Sequence, residues 1–161
     1  MDDVRGDGLV TYRHARAGFS LPLPPDWDLK EDVDPKVAMV AAEPDEGEGF
    51  RANVVVTVDE VGTDMTANDW QALNEQASAQ VMDEYLLLDS EVLEAGGYEV
   101  HRRLAHHTVD RMTAVTIQQW STIRGALGYT LTTSVGTLVL SETAALFDRV
   151  AQGFSIESGG A

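Results

Sequence analysis

The chain has 161 residues, of which 43% are hydrophobic, and its 27 acidic against 11 basic side chains give a net charge of −16. A field of this sign repels nucleic-acid phosphates and anionic lipids, so we expect neither nucleic acid nor a membrane as partner. The absence of cysteine excludes disulfides, thiolate metal ligands and a cysteine nucleophile.

The length of the chain predicts a single domain with loose ends. We assign residues 9–156 to this domain and residues 1–8 and 157–161 to flexible termini. The first residues have neither the basic start nor the apolar run of a secretory signal, so the expected location is cytoplasmic.

Short β-strands are predicted through the first 61 residues. They cover residues 9–15, Phe19–Leu23, Val37–Ala42 and 50–61. Pro24 and Pro25 fix the backbone and lack amide donors, so the chain leaves the sheet there, and Trp27 is expected to close an edge of the core. In the fourth strand Val56 and Thr57 are expected on opposite sides, because neighbouring side chains alternate.

One helix is predicted after Thr66. Thr66 and Asp69 have the spacing of a capping box, in which the threonine hydroxyl accepts a bond from the first turn. Apolar residues then recur at helical spacing, which predicts a buried stripe. Its members are Trp70, Leu73, Ala77 and Val81.

The second half of the chain predicts four strands and a closing helix. The strands are residues 85–93 and 98–108, joined by Gly96 and Gly97, and the two arms of a hairpin over residues 112–135. Ser141 is the expected N-cap of the last helix and Gly153 its C′ residue. Short connections between consecutive strands predict an α+β fold, with an antiparallel sheet of about six strands packed with helices.

Few side chains have the spacing of a catalytic or metal site. His106 and His107 point to opposite faces of a strand, and His101 is six residues from His107, so we expect no metal ion. No nucleophile elbow and no phosphate-binding loop is present, so we expect no cofactor. One alternative stays open, which is a general base formed by His101 or His107 with Asp59 or Asp110 in a pocket between sheet and helix.

Alternation along the strands predicts a polar surface around one tryptophan. The valines, Ile117 and Leu131 are expected under the helices, and Trp120 lies among polar residues on the other side. An aromatic side chain among adaptable polar groups is typical of protein interfaces. The partner-surface candidates are Trp120, Gln118, Thr116, Thr130, Thr132, His101 and Arg103. The alternative is that a helix or the proline segment covers Trp120.

Five segments resemble the PsbP-like superfamily, and within it the actinobacterial LpqN- and DcrB-type domains. They are residues 19–27 (FSLPLPPDW), residues 50–54 (FRANV), the pair Gln119 and Trp120, residues 128–132 (GYTLT) and residues 147–155, which end in Gly-Phe-Ser. The resemblance implies an α/β/α sandwich that binds other proteins and carries no catalytic motif. LpqN-type lipoproteins have a lipidated cysteine that this sequence lacks, so membrane anchoring does not carry over.

The sequence therefore favours a non-enzymatic, protein-binding or chaperone-like module. One alternative is a small-molecule-binding protein or small enzyme with a pocket between sheet and helix. Another is a homodimer formed through the same polar face.

Overall fold

The computed structural model describes residues 8–45 and 49–157. Of the ends expected to be flexible, residues 1–7 and 158–161 lie outside this part, as do residues 46–48 of the acidic loop. Glu157 is held in place, since its backbone N–H donates to the Gly18 carbonyl at 2.7 Å and its carboxylate pairs with Arg13. The chain is thus anchored one residue beyond the predicted domain boundary.

In the described residues the chain forms two antiparallel sheets and two α-helices. The strands are β1 Val10–His14, β2 Phe19–Leu23, β3 Asp28–Glu31, β4 Val37–Ala42, β5 Asn53–Glu60, β6 Asp83–Ala95, β7 Tyr98–Val109, β8 Thr113–Arg124, β9 Leu127–Gly136 and β10 Ser155–Ile156. The helices are α1 Ala67–Val81 and α2 Leu140–Gly153. The large sheet has the order β3-β4-β5-β9-β8-β7-β6, and the small one β1-β2-β10. The predicted α+β sandwich is confirmed, with seven strands in its main sheet.

Tight turns connect the long strands of the main sheet. Ala95 pairs with Tyr98, so Gly96 and Gly97 form a two-residue loop, and both have positive φ, at 60° and 85°. Two positive φ values define the turn that matches the twist of a β-hairpin, and glycine adopts them without a steric penalty. The predicted turn at these glycines is confirmed.

The first face of the main sheet, here called the α2 face, carries the hydrophobic core. It is covered by α2 and by the small sheet. The side chains that meet there include Phe19, Leu21, Val54, Val56, Leu131, Phe147 and Val150. Trp27 packs against this cluster from its rim, as predicted.

The opposite face, here called the α1 face, carries Thr57, Thr130, Thr132 and Arg103. The side chain of Trp70 anchors α1 to it, because a Cβ atom on Gly128 would lie 2.5 Å from the indole ring. The Thr66 hydroxyl accepts a hydrogen bond from the Asp69 N–H at 3.1 Å, which confirms the predicted N-cap.

The predicted apolar stripe of α1 is wrong except for Trp70. Leu73 is 53% exposed and Val81 81%, and Ala77 is exposed as well, whereas Gln71 is buried. Glu75 accepts hydrogen bonds from Arg103 on the sheet and from Tyr85, so polar contacts hold the hydrophilic side of the helix against the strands.

The predicted ends of α2 are also wrong. The helix begins at Leu140, directly after a 3-10 turn over Thr137–Val139, and has no side-chain N-cap bond, so Ser141 lies inside it. Gly153 is the last helical residue and not C′. A Cβ atom there would lie 2.5 Å from the Pro22 ring, so the glycine lets α2 approach β2.

Candidate functional site

The seven predicted partner-surface residues lie on two faces of the sheet and not on one. Arg124 pairs with Leu127 across the two-residue loop that joins β8 to β9. Such a loop pairs even-numbered with odd-numbered residues, and Trp120 therefore lies beside Leu131 on the α2 face. The prediction of one shared face is wrong, as is the placement of Ile117, which lies on the α1 face. The predicted sides of Val56 and Thr57 are confirmed.

Thr116, Gln118 and Trp120 lie on the α2 face. Thr116 is buried and its hydroxyl is 2.9 Å from that of Thr137. Gln118 lines a cavity of about 30 Å³ beneath α2, next to Phe147. Trp120 is half-buried and packs against the edge of the core.

Thr130, Thr132, His101 and Arg103 lie on the α1 face. The Thr130 hydroxyl is 3.0 Å from that of Ser121, and the Thr132 hydroxyl accepts from the Gln119 side chain at 3.2 Å. His101 and Arg103 are buried. Whether any of the seven residues contacts a partner stays a prediction.

Strand β6 is an open edge of the main sheet. It has 13 residues, and every residue but Tyr85 is exposed. Within residues 8–45 and 49–157, β7 is its only strand partner. Its sequence, DEYLLLDSEVLEA, has five carboxylates and no basic residue. Leu86 and Val92 are among its exposed apolar side chains, so an apolar and acidic strand lies open at this end of the molecule.

A groove of about 290 Å³ runs beside this strand on the α2 face, between β6, β7, β8 and the end of α2. We call it the edge groove. Its apolar lining includes Leu93, Val100, Trp120, Phe154 and Ile156. Arg102 lies next to the groove on the same face and contacts Asp89 at 3.2 Å and Glu91 at 3.0 Å. Trp120 is the one predicted surface residue that lines this groove.

A second cavity, of about 380 Å³, lies between α1 and strands β6 and β7 on the α1 face. We call it the α1 cavity. Its wall includes Arg103, whose guanidinium donates to Glu75 at 2.5 Å and to Gln119 at 2.6 Å. Tyr85 donates to the same Glu75 carboxylate at 2.8 Å, and burial together with this bond raises the pKa of Tyr85 to about 12. The phenol therefore stays protonated near neutral pH and acts as a donor.

The predicted histidine–aspartate pairs do not form. His101 lines the α1 cavity, but the carboxylate near its Nε2 is that of Glu99, at 3.6 Å, and Asp59 pairs with Lys36 at 3.4 Å. A different pair joins β1 of the small sheet to the residue after β3 of the main sheet, where His14 Nε2 lies 3.0 Å from Asp32. Sequence reasoning missed it because the two residues are separated by a hairpin.

The His14 ring has a structural role. Its Nδ1 accepts the Ala17 N–H at 3.0 Å, so its Nε2 carries the proton that is donated to Asp32. That bond, together with the nearby Arg16 guanidinium, lowers the pKa of the Asp32 carboxyl. The ring is buried and stacks on Phe19, which leaves no room for a substrate beside it.

Two further properties concern the described ranges 8–45 and 49–157. No three His, Cys, Asp or Glu side chains converge there in a way that could hold a metal ion. Neither helix has the length and apolar content needed to cross a bilayer.

No protein-family model and no curated protein matches the sequence, whereas several solved structures match the fold. Cyanobacterial PsbP (CyanoP) from Synechocystis superposes with a TM-score of 0.72 over 97% of this chain and 96% of its own, at 18% identity. The chain has a PsbP/Mog1-like fold. LpqN of Mycobacterium tuberculosis, described as involved in cell envelope biogenesis, shares this fold with a TM-score of 0.68 at 14% identity, over 92% and 90% of the two chains.

The Ran-binding protein Mog1p of Saccharomyces cerevisiae also has the PsbP/Mog1-like fold. It superposes with a TM-score of 0.61 at 12% identity, over 92% of this chain and 95% of its own. The predicted resemblance to the PsbP-like superfamily is thus confirmed at the level of the fold. Identities this low carry no residue-level function from one protein to another.

Proposed function

We propose that the chain is a protein-binding module without catalytic activity, and that it acts in the cytoplasm. The observation that carries the proposal is the open strand β6 beside the edge groove. A strand at the end of a sheet has a row of backbone donors and acceptors without strand partners, which an extended segment of another protein can pair with.

The side chains around β6 suit such a partner. Exposed apolar groups on the strand, and Leu93 with Trp120 in the groove, offer contacts for alternate side chains of an added strand. Natural edges are often blocked by bulges, and β6 has register shifts between Asp83 and Leu86 and between Leu87 and Asp89. Residues 89–95 pair regularly with β7, so this stretch is the best template for strand addition.

The charge of β6 selects the partner. Arg102 pairs with Asp89 and Glu91, but the five carboxylates of β6 still outnumber this one cation, which favours an extended segment that is rich in lysine or arginine. The same charges disfavour a homodimer formed by pairing two copies of β6, because like charges would approach one another. The Ran-binding protein Mog1p has the same fold, which adds support for a protein partner.

Leu93→Lys tests the proposal, since it places a cation at the regular part of the edge and in the groove. Leu138→Lys is the matched control, because Leu138 is 98% exposed and lies away from β6 in the turn before α2. We expect affinity capture from native lysate, followed by quantitative mass spectrometry, to recover a protein with the wild type and the control that Leu93→Lys loses at least tenfold.

Recovery of the same proteins by all three forms would exclude β6 as the binding site. Sedimentation at several concentrations distinguishes the homodimer alternative. A wild-type dimer that Leu93→Lys converts to a monomer would show that a second copy occupies the edge.

A further inference from the structure

A groove lined by aromatic and proline rings lies at the end of the main sheet opposite β6. There the edge strand β3 lies beside β1, which is an edge strand of the small sheet. The space between them has a volume of about 210 Å³, and we call it the β1–β3 groove. Its lining includes Tyr12 of β1, Leu29 of β3, and Pro24, Pro25 and Trp27 of the segment that joins β2 to β3.

Both aromatic side chains of the groove are held in place by the fold. The Tyr12 hydroxyl donates to Glu31 of β3 at 2.5 Å, and the Tyr12 ring centroid lies 6.4 Å from that of Phe19 in the core. The Trp27 N–H donates to the Pro24 carbonyl at 3.3 Å, and the indole packs against the core. A partner would therefore meet walls that need little ordering, which lowers the entropic cost of binding.

The groove is open to solvent and offers mainly rings. Tyr12 and Trp27 are half-buried, and Leu29 is 43% exposed. Pro24 and Pro25 have no backbone N–H, so their wall does not provide the row of donors and acceptors that an added β-strand requires. The volume is also below the roughly 300–1,000 Å³ of ordinary small-molecule sites.

A proline-rich segment fits these properties. In the polyproline II conformation such a segment has no internal hydrogen bonds and keeps an extended shape before it binds. Its rings pack into grooves lined by aromatic side chains, and it requires few backbone donors from its partner.

The charges beside the groove favour a cation on that segment. Leu29 and Glu31 both pair with core residues of β4, so their side chains lie on the groove side of β3, and Lys30 between them lies on the opposite side. Asp26 is exposed and precedes Trp27 directly. None of the ion pairs formed by residues 8–45 and 49–157 includes Asp26 or Glu31. Two carboxylates without a cation therefore border the groove, and they complement arginine or lysine.

We propose that the β1–β3 groove binds a proline-rich segment of another protein that carries arginine or lysine next to its prolines. The proline rings would pack against Tyr12 and Trp27, and the cation would lie near Glu31 or Asp26. This site does not depend on the proposed binding at β6, because β3 and β6 are the two ends of the main sheet.

Three synthetic peptides with blocked ends separate the features that the groove recognises. The probe has six prolines between two arginines, so it can bind in either direction. One control replaces the arginines with glutamates, and the other replaces the prolines with alternating glycine and serine. Because the protein carries −16, the second control measures how much any cationic peptide binds.

A two-dimensional ¹H–¹⁵N NMR titration locates the bound peptide through the indole N–H signals. We expect the probe to give a saturable shift in the Trp27 indole signal and in the backbone of β1 and β3. The indole signals of Trp70 and Trp120 should not move, because both lie outside the groove. Each control peptide should bind at least tenfold more weakly than the probe.

Leu29→Lys should weaken binding of the probe at least tenfold, because it places a cation in the groove. Leu138→Lys makes the same change at a 98% exposed position in the turn before α2 and should leave binding unchanged. Glu31→Gln keeps an acceptor for the Tyr12 hydroxyl and removes the charge, so it should also weaken binding.

The wild-type titration decides the question even if a variant does not fold. The absence of a saturable shift at Trp27 would overturn the proposal, and shifts centred on Trp120 would place the peptide in the edge groove instead. Unchanged binding by a folded Leu29→Lys variant, or equal binding of the glycine–serine peptide, would also overturn it.

Discussion

The two faces of the main sheet are covered in different ways. On the α2 face, a helix and a second sheet pack apolar side chains such as Val56, Leu131 and Phe147 into one cluster with almost no exposed surface. On the α1 face, a single helix contacts the strands through Trp70 and through polar groups, chiefly Glu75 with Arg103. Close apolar packing covers the α2 face, whereas Trp70 and a few polar contacts hold α1 on the α1 face.

This difference predicts that the α2 face provides most of the stability and that the α1 face has room for binding. Apolar burial provides most of the free energy of folding, so we expect the α2 face to account for most of the stability. Polar contacts contribute less on balance, and they leave the α1 cavity and, in Gln71 and His101, buried polar atoms without a hydrogen-bond partner on the α1 face. We infer that the α1 face can vary without loss of the fold.

The largest expected effect compares neighbouring residues of β9 that point to opposite faces. Leu131 is fully buried on the α2 face, so Leu131→Ala should lower the free energy of unfolding by about 2–5 kcal/mol. Thr132→Ala removes one hydrogen bond on the α1 face and should cost about 1 kcal/mol. Urea unfolding followed by circular dichroism measures both values. Equal losses would contradict the division between the faces.

The second prediction concerns the ion pair under α1. Glu75→Ala leaves the buried Arg103 guanidinium without its carboxylate, and should lower the free energy of unfolding by about 1–3 kcal/mol. The Glu75→Ala/Arg103→Met double variant should recover part of this loss, because the unpaired charge is removed as well. A double-mutant cycle with Arg103→Met measures the coupling, and additive single effects would show that the pair does not hold the helix.

The smallest expected effect is a pH dependence at the contact between β1 and the residue that follows β3. The bond from His14 lowers the pKa of the Asp32 carboxyl, so this group stabilises the fold above its ordinary pKa. That contribution is lost as the pH falls through the lowered pKa of the folded state. The thermal midpoint of the wild type should therefore fall more steeply than that of Asp32→Asn between about pH 5 and pH 2.

Asparagine suits this position, because it tolerates the positive φ of 50° at residue 32. Asp26→Asn removes an exposed carboxyl outside this pair and is the control that should keep the wild-type slope. Parallel curves for the wild type and Asp32→Asn would show that the bond from His14 does not contribute to acid stability.

Much of the fold follows from local sequence patterns. The predicted strands, the Gly96–Gly97 turn and the Thr66 cap all correspond to observed elements, because each depends on neighbouring residues. The orientation of α1 could not be predicted in this way. This orientation depends on the contact between Glu75 and Arg103, which lie 28 residues apart in the sequence. With Glu75 turned toward the sheet, Leu73 is exposed to solvent.

The candidate surface was harder to predict than the fold. Alternation within a strand assigns residues to two sides, but it does not say which side of one strand matches which side of the next. The length of the connecting loop decides this, and reading the β8–β9 loop as two residues would have placed Trp120 with Leu131. The unpartnered atoms of Gln71 and His101 had no sequence signal, since they arise only when helix and sheet meet.

The three tryptophans of the chain lie in three different places. Trp27 lies at the rim of the core, and Trp120 lines the edge groove. Trp70 of α1 is buried against Gly128 of β9. Their emission spectra respond to local polarity, so retaining one tryptophan at a time would give an intrinsic fluorescent reporter for each region without any attached dye. The emission of Trp70 and that of Trp120 would therefore distinguish loosening of α1 from binding of a partner at β6.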